Sequence, residues 1–328
     1  MRLLATGGAG YIGSHTVLDL LQAGHEVSVL DDLSRGHAEA LSRVEQLSGR
    51  SVPLIRCDVG RIEASALQGM DAVVHFAAFK AVGESMERPE LYFRNNLGGL
   101  ARLLEAMAEA GVKRLVYSSS ASVYGQQELL PIRERAALQP ESPYGLTKLQ
   151  GEQMLEWMAQ RRGWSVVSLR YFNPVGAHAS GRIGEPFEQG TNLFPRLLRA
   201  YASPSDPITV FGTDYDTPDG TCIRDYIHVV DLARAHRLAL EQLRPGHARL
   251  NVGTGTGLSV REVLSAFAAR TGRPVPAQDG PRRPGDPAAV VADATEMERV
   301  TGFRAEHGLE QMVDSAWAFW QANPQGYA

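Results

Sequence analysis

Thr6-Gly7-Gly8-Ala9-Gly10-Tyr11-Ile12-Gly13 decides the fold. It follows a short apolar run at 3–6 and opens onto 14–22, where apolar residues recur at helical spacing. A strand that turns through glycines into a helix lets a pyrophosphate approach the backbone, where unpaired N–H groups and the positive end of the helix dipole face it. Side chains at Gly7, Gly10 and Gly13 would obstruct that approach. Two overlapping glycine patterns, Gly8-x-Gly10-x-x-Gly13 and Gly7-x-x-Gly10-x-x-Gly13, satisfy the requirement in the strand-to-helix context it needs.

The same alternation continues downstream. Residues 26–30, 52–57, 72–76, 114–118 and 165–170 read as further strands, and 97–110 and 144–161 as amphipathic helices between them. Strand and helix in turn predict a parallel sheet covered on both faces, an α/β doubly wound (Rossmann) domain over 1–172. From Asn173 glycine and proline cluster at 174–186, 204–220 and 272–287, with short helical stretches at 192–201, 230–242, 259–270 and 309–321 between them. Residues 173–328 are therefore expected to form a smaller α/β substrate-binding domain, with an approximate boundary that the chain can recross.

The 328 residues carry 33 Lys+Arg against 37 Asp+Glu, a net charge of -4 that offers no electrostatic footprint for nucleic acid or an acidic membrane surface. The expected partner is a small molecule. No apolar stretch approaches the roughly 20 residues of a membrane helix, and the N-terminal run reads as a strand rather than a signal peptide. The cytoplasm is the expected compartment. Cys57 and Cys222 lie far apart without metal-ligand spacing, so neither a disulfide framework nor a metal site is expected.

Asp31 and Asp32 close the second strand about 18 residues after Gly13, where a carboxylate would accept hydrogen bonds from an adenosine ribose. That favours NAD over NADP. Arg35 leaves some ambiguity, since a nearby arginine accommodates a 2′-phosphate, whereas the acidic pair repels one. Asp58 follows the third strand and suits the adenine side. Phe76-Ala77-Ala78-Phe79-Lys80 follows the fourth, where small residues admit a cofactor to the backbone.

Tyr144 and Lys148 stand four residues apart on one helix face, and Ser120 lies in the serine-rich run after the strand at 114–118. Bringing a phenol from near pH 10 to near pH 7 takes roughly 4 kcal/mol. A cation about 5 Å away supplies about 3 kcal/mol at an effective dielectric near 20, so Lys148 is expected to provide most of it. With Ser120 as relay, the set suits removal of an alcohol proton while hydride leaves the same carbon for a nicotinamide.

These three elements, in this order, resemble the extended branch of the short-chain dehydrogenase/reductase family. Longer runs are similar to its UDP-hexose 4-epimerases: Lys80-Ala81-Val82-Gly83-Glu84-Ser85, Ser142-Pro143-Tyr144-Gly145, Arg170-Tyr171-Phe172-Asn173-Pro174-Val175-Gly176-Ala177 and Arg224-Asp225-Tyr226-Ile227-His228-Val229. By position, the resemblance implies NAD contacts at Tyr11, Ile12, Asp31, Asp32, Leu33, Ser34, Arg35, Gly36, Asp58, Val59, Phe76, Ala77, Ala78, Phe79, Lys80, Asn95, Tyr144, Lys148 and Phe172. It implies UDP-sugar contacts at Ser120, Tyr144, Asn173, Asn192, Phe211, Arg224, Arg283 and Asp286. Arginine forks suit a diphosphate and asparagine amides suit sugar oxygens.

Val290 falls where the family varies between tyrosine and smaller residues, which implies room for an N-acetyl group. The resemblance also implies a homodimer packed through helices at 91–110 and 144–161. Related nucleotide-sugar dehydratases carry Asp-Glu beside the active-site hydroxyl; here Ala121-Ser122 stand in that place, which speaks against water loss. A sensor that binds NAD without chemistry would have no need of Tyr144, Lys148 and Ser120 together.

Overall fold

The computed structural model describes residues 1–187, 190–283 and 285–327; Pro284, within the loop expected at 272–287, lies outside them. Seven parallel strands form the central sheet in the order Gly246–Val252, Ser165–Tyr171, Arg114–Ser118, Ala72–His75, Arg2–Thr6, Glu26–Asp31, Leu54–Arg56. The strand order reverses direction between Arg2–Thr6 and Ala72–His75, and the diverging connections leave a crevice at the carboxyl ends of these strands. The glycine turn, Asp31, Phe76 and the serine run after Ser118 all emerge at that edge.

Strand interiors are near-continuous apolar runs because both faces are covered. Leu3, Ala5, Val27, Val29, Ala72, Val74 and Val116 pack with helix Tyr11–Gln22 and with Leu232, Ala235 and Ala239 of helix Val229–Glu241. Leu4, Leu30, Val73 and Leu115 face the other way, onto Leu100, Leu103 and Met107 of helix Gly99–Ala110 and Leu155 of helix Pro143–Arg162.

Three features depart from the sequence expectations. Strand Leu54–Arg56 is shorter than 52–57, and helix Ala38–Ser48 stands where no element was expected. It buries Ala40, Leu41 and Val44, with Leu47 packed against the same core. The helix expected from 97 begins earlier, as a π-helical turn Phe93–Gly98 running into Gly99–Ala110.

After residue 173 the chain returns to the large sheet. Gly246–Val252 pairs in register with Ser165–Tyr171, and helix Val229–Glu241 lies against helix Tyr11–Gln22. The remaining segments build two small sheets. In one, Ile223–His228 is flanked by Gly257–Ser259, Ala289–Val290 and Asn173–Val175; in the other, Ile208–Phe211 pairs with Ala277–Gly280. Helices Leu193–Ala202, Val260–Thr271 and Leu309–Ala322 close over them around Phe194, Phe267, Met312 and Trp317. Among the described residues no helix is long and apolar enough to cross a membrane.

Candidate active site

The crevice is lined from the glycine turn to the tyrosine helix. Gly7, Gly10, Tyr11, Ile12 and Gly13 form one end with Asp31, Asp32, Ser34, Arg35, Gly36, Asp58 and Val59, and Phe76, Ala77, Ala78, Phe79, Lys80, Asn95, Tyr144 and Lys148 continue it. His37, Glu84, Tyr171, Glu185, Thr191 and Tyr327 share the lining and were missed by sequence reasoning, since each is an ordinary residue until the loops meet.

The glycine turn has the properties a dinucleotide requires. Helix Tyr11–Gln22 begins at Gly10 with no side-chain cap, so the dipole end and its first N–H groups face the cleft. A methyl on Gly13 would sit 2.3 Å from the Gly7 carbonyl oxygen, whereas one on Gly10 would meet only that oxygen, at 3.3 Å. Packing within the protein therefore demands glycine at 13 far more than at 10. The space over Gly10 fits an external group, and the residues present fit NAD.

The two aspartates differ in their surroundings. Asp31 is buried, and its oxygens accept hydrogen bonds from the backbone of Ala9, at 3.0 Å, and Leu33, at 2.9 Å. It clamps the glycine turn to the second strand, and burial pushes its carboxyl above the ordinary range. Leu33 takes a positive φ of 63° while donating to it. Asp32 is exposed and receives the Ser34 backbone N–H and hydroxyl on one oxygen, at 2.9 and 2.7 Å. Arg35 donates to Glu84 at 2.7 Å and lies 5.2 Å over the Phe79 ring. Its guanidinium is already paired with a carboxylate, which removes the main sequence argument for a 2′-phosphate.

Helix Pro143–Arg162 starts at Ser142, whose side chain accepts the Gly145 N–H, with Pro143 in the first turn where its missing N–H costs nothing. That start fixes Tyr144 and Lys148 at the crevice, both buried. Lys148 Nζ donates to the Ser118 carbonyl at 2.7 Å and lies 5.0 Å over the Tyr117 ring and 5.9 Å over the Tyr144 ring. Ser120, buried at the start of a short 3-10 turn, acts on the Tyr144 phenol; its hydroxyl donates to Ser122 Oγ and accepts the Ser122 N–H, each at 3.1 Å.

The expected electrostatics change here. Burial raises the Tyr144 phenol above its ordinary value and only the Ser120 hydroxyl works the other way. Lys148 is itself lowered to about 7 by burial, against the pull of Glu152. Burial thus opposes the charged forms of both Tyr144 and Lys148 in the protein alone.

Other predicted residues divide. Asn95 lies in the π-helical turn beside Asn96, which sequence reasoning passed over. Buried Asn96 accepts from the Phe79 N–H at 2.9 Å, donates to the Phe79 carbonyl at 3.1 Å and donates to Thr147 Oγ1 at 3.1 Å, tying the Phe76–Lys80 loop to the tyrosine helix. The Phe172 side chain, expected at the cofactor, packs instead in a buried cluster with Val123, Tyr124, Ile132 and Ala292. Strand alternation sends it away from the crevice face that its neighbour Tyr171 lines.

The residues expected to hold a nucleotide sugar gather on the small sheets. Val290 pairs in register with Arg224, whose guanidinium bonds the Asp286 carboxylate, and Asn173 Nδ2 donates to the Asp225 carbonyl at 2.9 Å. Two guanidiniums approach the Phe211 ring, Arg283 at 3.9 Å and Arg196 at 5.6 Å from its centre. Arg196 was not singled out from the sequence. Asn192 stands exposed at the N-cap of the helix that carries Arg196, next to the cleft-lining Thr191.

Residues 3–253 match the model of the NAD dependent epimerase/dehydratase family. The UDP-glucose 4-epimerase of Bacillus subtilis is 47% identical over 335 residues, covering 100% of this chain and 99% of that protein. Two solved structures align over nearly the whole chain. UDP-glucose-4-epimerase from Stenotrophomonas maltophila, with bound NAD and formylated UDP-arabinopyranose, has a TM-score of 0.96 at 44% identity and 99% coverage of both chains. UDP-glucose 4-epimerase from Bifidobacterium longum, in complex with NAD+ and UDP, has a TM-score of 0.93 at 42% identity, covering 99% of this chain and 100% of the other.

Proposed function

Because the chain belongs to the NAD dependent epimerase/dehydratase family, we propose that it is a NAD-dependent UDP-glucose 4-epimerase, inverting C4 of a UDP-hexose through a transient 4-keto sugar. The observation that carries this reading is the convergence of Tyr144, with Ser120 beside it, and Lys148 at one end of a crevice whose other end is the glycine turn. Full-length similarity to UDP-glucose 4-epimerases supports the choice of reaction.

Tyr11, Ile12, Asp31, Asp32, Asp58 and Lys80 would hold the dinucleotide. When bound, NAD supplies the acceptor, and later the donor, for the hydrogen at C4. The protein's part is the proton at O4. Tyr144 takes it from the sugar hydroxyl, Ser120 hydrogen-bonds the phenolic oxygen as its charge changes, and Lys148 anchors the site through the Ser118 carbonyl. Arg224 and Arg283 suit the diphosphate, Phe211 the uracil face, and Asp286 the ribose hydroxyls.

A firm grip on UDP with a loose grip on the hexose lets the planar ketone turn and present its other face before Tyr144 returns the proton. Ala121-Ser122 beside Ser120 offer no acid/base pair for water loss, which disfavours a dehydratase. Val290 leaves volume for an N-acetyl substituent, so UDP-N-acetylhexosamines belong to the proposed range. A cytoplasmic homodimer, packed through the helices at 91–110 and 144–161, where Trp157 is exposed, completes the reading.

Conversion of UDP-galactose to UDP-glucose, followed by NMR of the products without added cofactor, tests it. Inverted C4 with the remaining sugar carbons unchanged is the expected result; an unsaturated or deoxy product, or no turnover, would reject it.

A further inference from the structure

Glu152 stands two helical turns after Tyr144 and one after Lys148, on the same helix, with a side chain only 1% exposed. A buried carboxylate is costly unless paired and fully hydrogen-bonded. Here Arg170, from strand Ser165–Tyr171, grips it with two nitrogens, Nε at 2.9 Å and a terminal nitrogen at 2.6 Å. Arg170 in turn donates to the Tyr124 hydroxyl and the Glu134 carbonyl, each at 3.0 Å. A pair meant only to hold the helix on the sheet would be complete at that point.

Glu152 Oε2 also lies 3.6 Å from Arg249 Nε, and a further contact reaches toward the chemistry. Its Oε1 accepts the Ser119 hydroxyl at 2.5 Å, and Ser119 immediately precedes Ser120. The strand end that carries Ser118 and Ser120 is thus tied to the tyrosine helix at two points, Ser118 O to Lys148 Nζ and Ser119 Oγ to Glu152.

We propose that Glu152 is a positioning residue of the proton-transfer site: through Ser119 it fixes the Ser120 hydroxyl against Tyr144, and through its charge it keeps Lys148 an ammonium. The inference rests on the reading of Tyr144, Lys148 and Ser120 given above. Its electrostatic half agrees with the environment of Lys148, where burial lowers the ammonium's affinity for its proton and Glu152 raises it. The groups around Lys148 and this pair are Tyr144 and Glu152 on its own helix, Tyr117 and the Ser118 carbonyl on one strand, His75 on the next, Arg170 and Tyr171 on a third, Arg249 and His247 on a fourth, Tyr124 against Arg170, and His236 bonded to Ser118 Oγ; burial lowers His247 to about 4. His75 and His236 are lowered by burial to about 3 and about 4, so neither adds charge near neutrality.

The chain has three lysines, Lys80, Lys113 and Lys148, so carbon-13 NMR of lysine-labelled protein resolves the Lys148 titration. Two variants separate the two halves. Ser119→Ala removes the tether and leaves the ion pair; kcat should fall about tenfold while KM for UDP-galactose and the Lys148 midpoint stay at wild-type values. Glu152→Leu combined with Arg170→Met replaces the pair by apolar groups of similar bulk, keeping the fold where Glu152→Gln would strand Arg170. Its Lys148 midpoint should drop by at least one pH unit.

A wild-type kcat in Ser119→Ala, or an unmoved Lys148 midpoint in the double variant, overturns the proposal. Absence of epimerase activity in the wild type overturns the underlying function instead, and the NMR titration still reports on the charge coupling.

Discussion

Lys148 Nζ donates its hydrogen bond to the Ser118 carbonyl, at 2.7 Å, and stands 5.9 Å from the centre of the Tyr144 ring. The ammonium is anchored to the strand, and Ser120 is the side chain that meets the phenol. In the proposed function Tyr144 moves the proton, with Ser120 as its neighbouring hydroxyl. Tyr144→Phe removes the one oxygen able to do so and should lower kcat by three orders of magnitude or more, with UDP binding by calorimetry unchanged. Wild-type-like turnover would remove Tyr144 from the chemistry.

Stability should record the burial of Lys148. Its pKa falls from the ordinary 10.5 to about 7 in the folded protein. Between those values the unfolded chain holds the proton and the folded chain does not, so stability rises with pH across this window. Below pH 7 both hold it, and the buried charge exerts its full penalty. Lys148→Met should abolish turnover yet raise stability at pH 6 by about 2–5 kcal/mol, the gain shrinking as pH climbs toward 10.5. Urea unfolding at several pH values measures this, and a gain independent of pH would contradict the assignment.

Gly10 and Gly13 predict opposite phenotypes from the same substitution. Gly13→Ala drives a methyl into the Gly7 carbonyl, at 2.3 Å, and should destabilise the fold by about 1–3 kcal/mol. Gly10→Ala meets a single oxygen at 3.3 Å from an extended backbone, φ -78° and ψ 176°, that alanine adopts readily. The fold should survive with a Tm close to wild type, while NAD content after gel filtration drops at least tenfold. Equal retention of NAD in both proteins would argue against a pyrophosphate at the glycine turn.

Val290 pairs in register with Arg224 and packs against the cluster of Tyr124 and Phe172, and the proposed function makes it a wall of the sugar pocket. Val290→Tyr should suppress turnover of UDP-N-acetylglucosamine by tenfold or more and leave UDP-glucose within about threefold. Comparing kcat/KM for the two sugars is the measurement. Equal losses on both would make Val290 a packing residue and nothing more.

Local patterns carried most of the fold. The glycine turn, the alternation of apolar strands with amphipathic helices and the Tyr144–Lys148 spacing are short-range features, written within a few residues because backbone approach, strand burial and helix faces are local requirements. From them the order Arg2–Thr6, Tyr11–Gln22, Glu26–Asp31 and the tyrosine helix could be read directly. Helix Ala38–Ser48 was not expected, although Leu41, Val44 and Leu47 turn one face to the core. The return of Gly246–Val252 escaped because nothing in a seven-residue strand says which strand lies beside it.

Tertiary structure alone decided the roles of charged groups. Asp31 and Asp32 are interchangeable in sequence, yet one is buried against two backbone N–H groups and the other exposed. Arg35 looked free to meet a phosphate until Glu84, 49 residues away, took its guanidinium. Burial lowers Lys148 to about 7, which no local pattern announces, and Glu152 had no assigned part until Ser119 and Arg170 converged on it. Charge interactions depend on distance and on the polarity of the surroundings, and both are set by chain segments far apart in sequence.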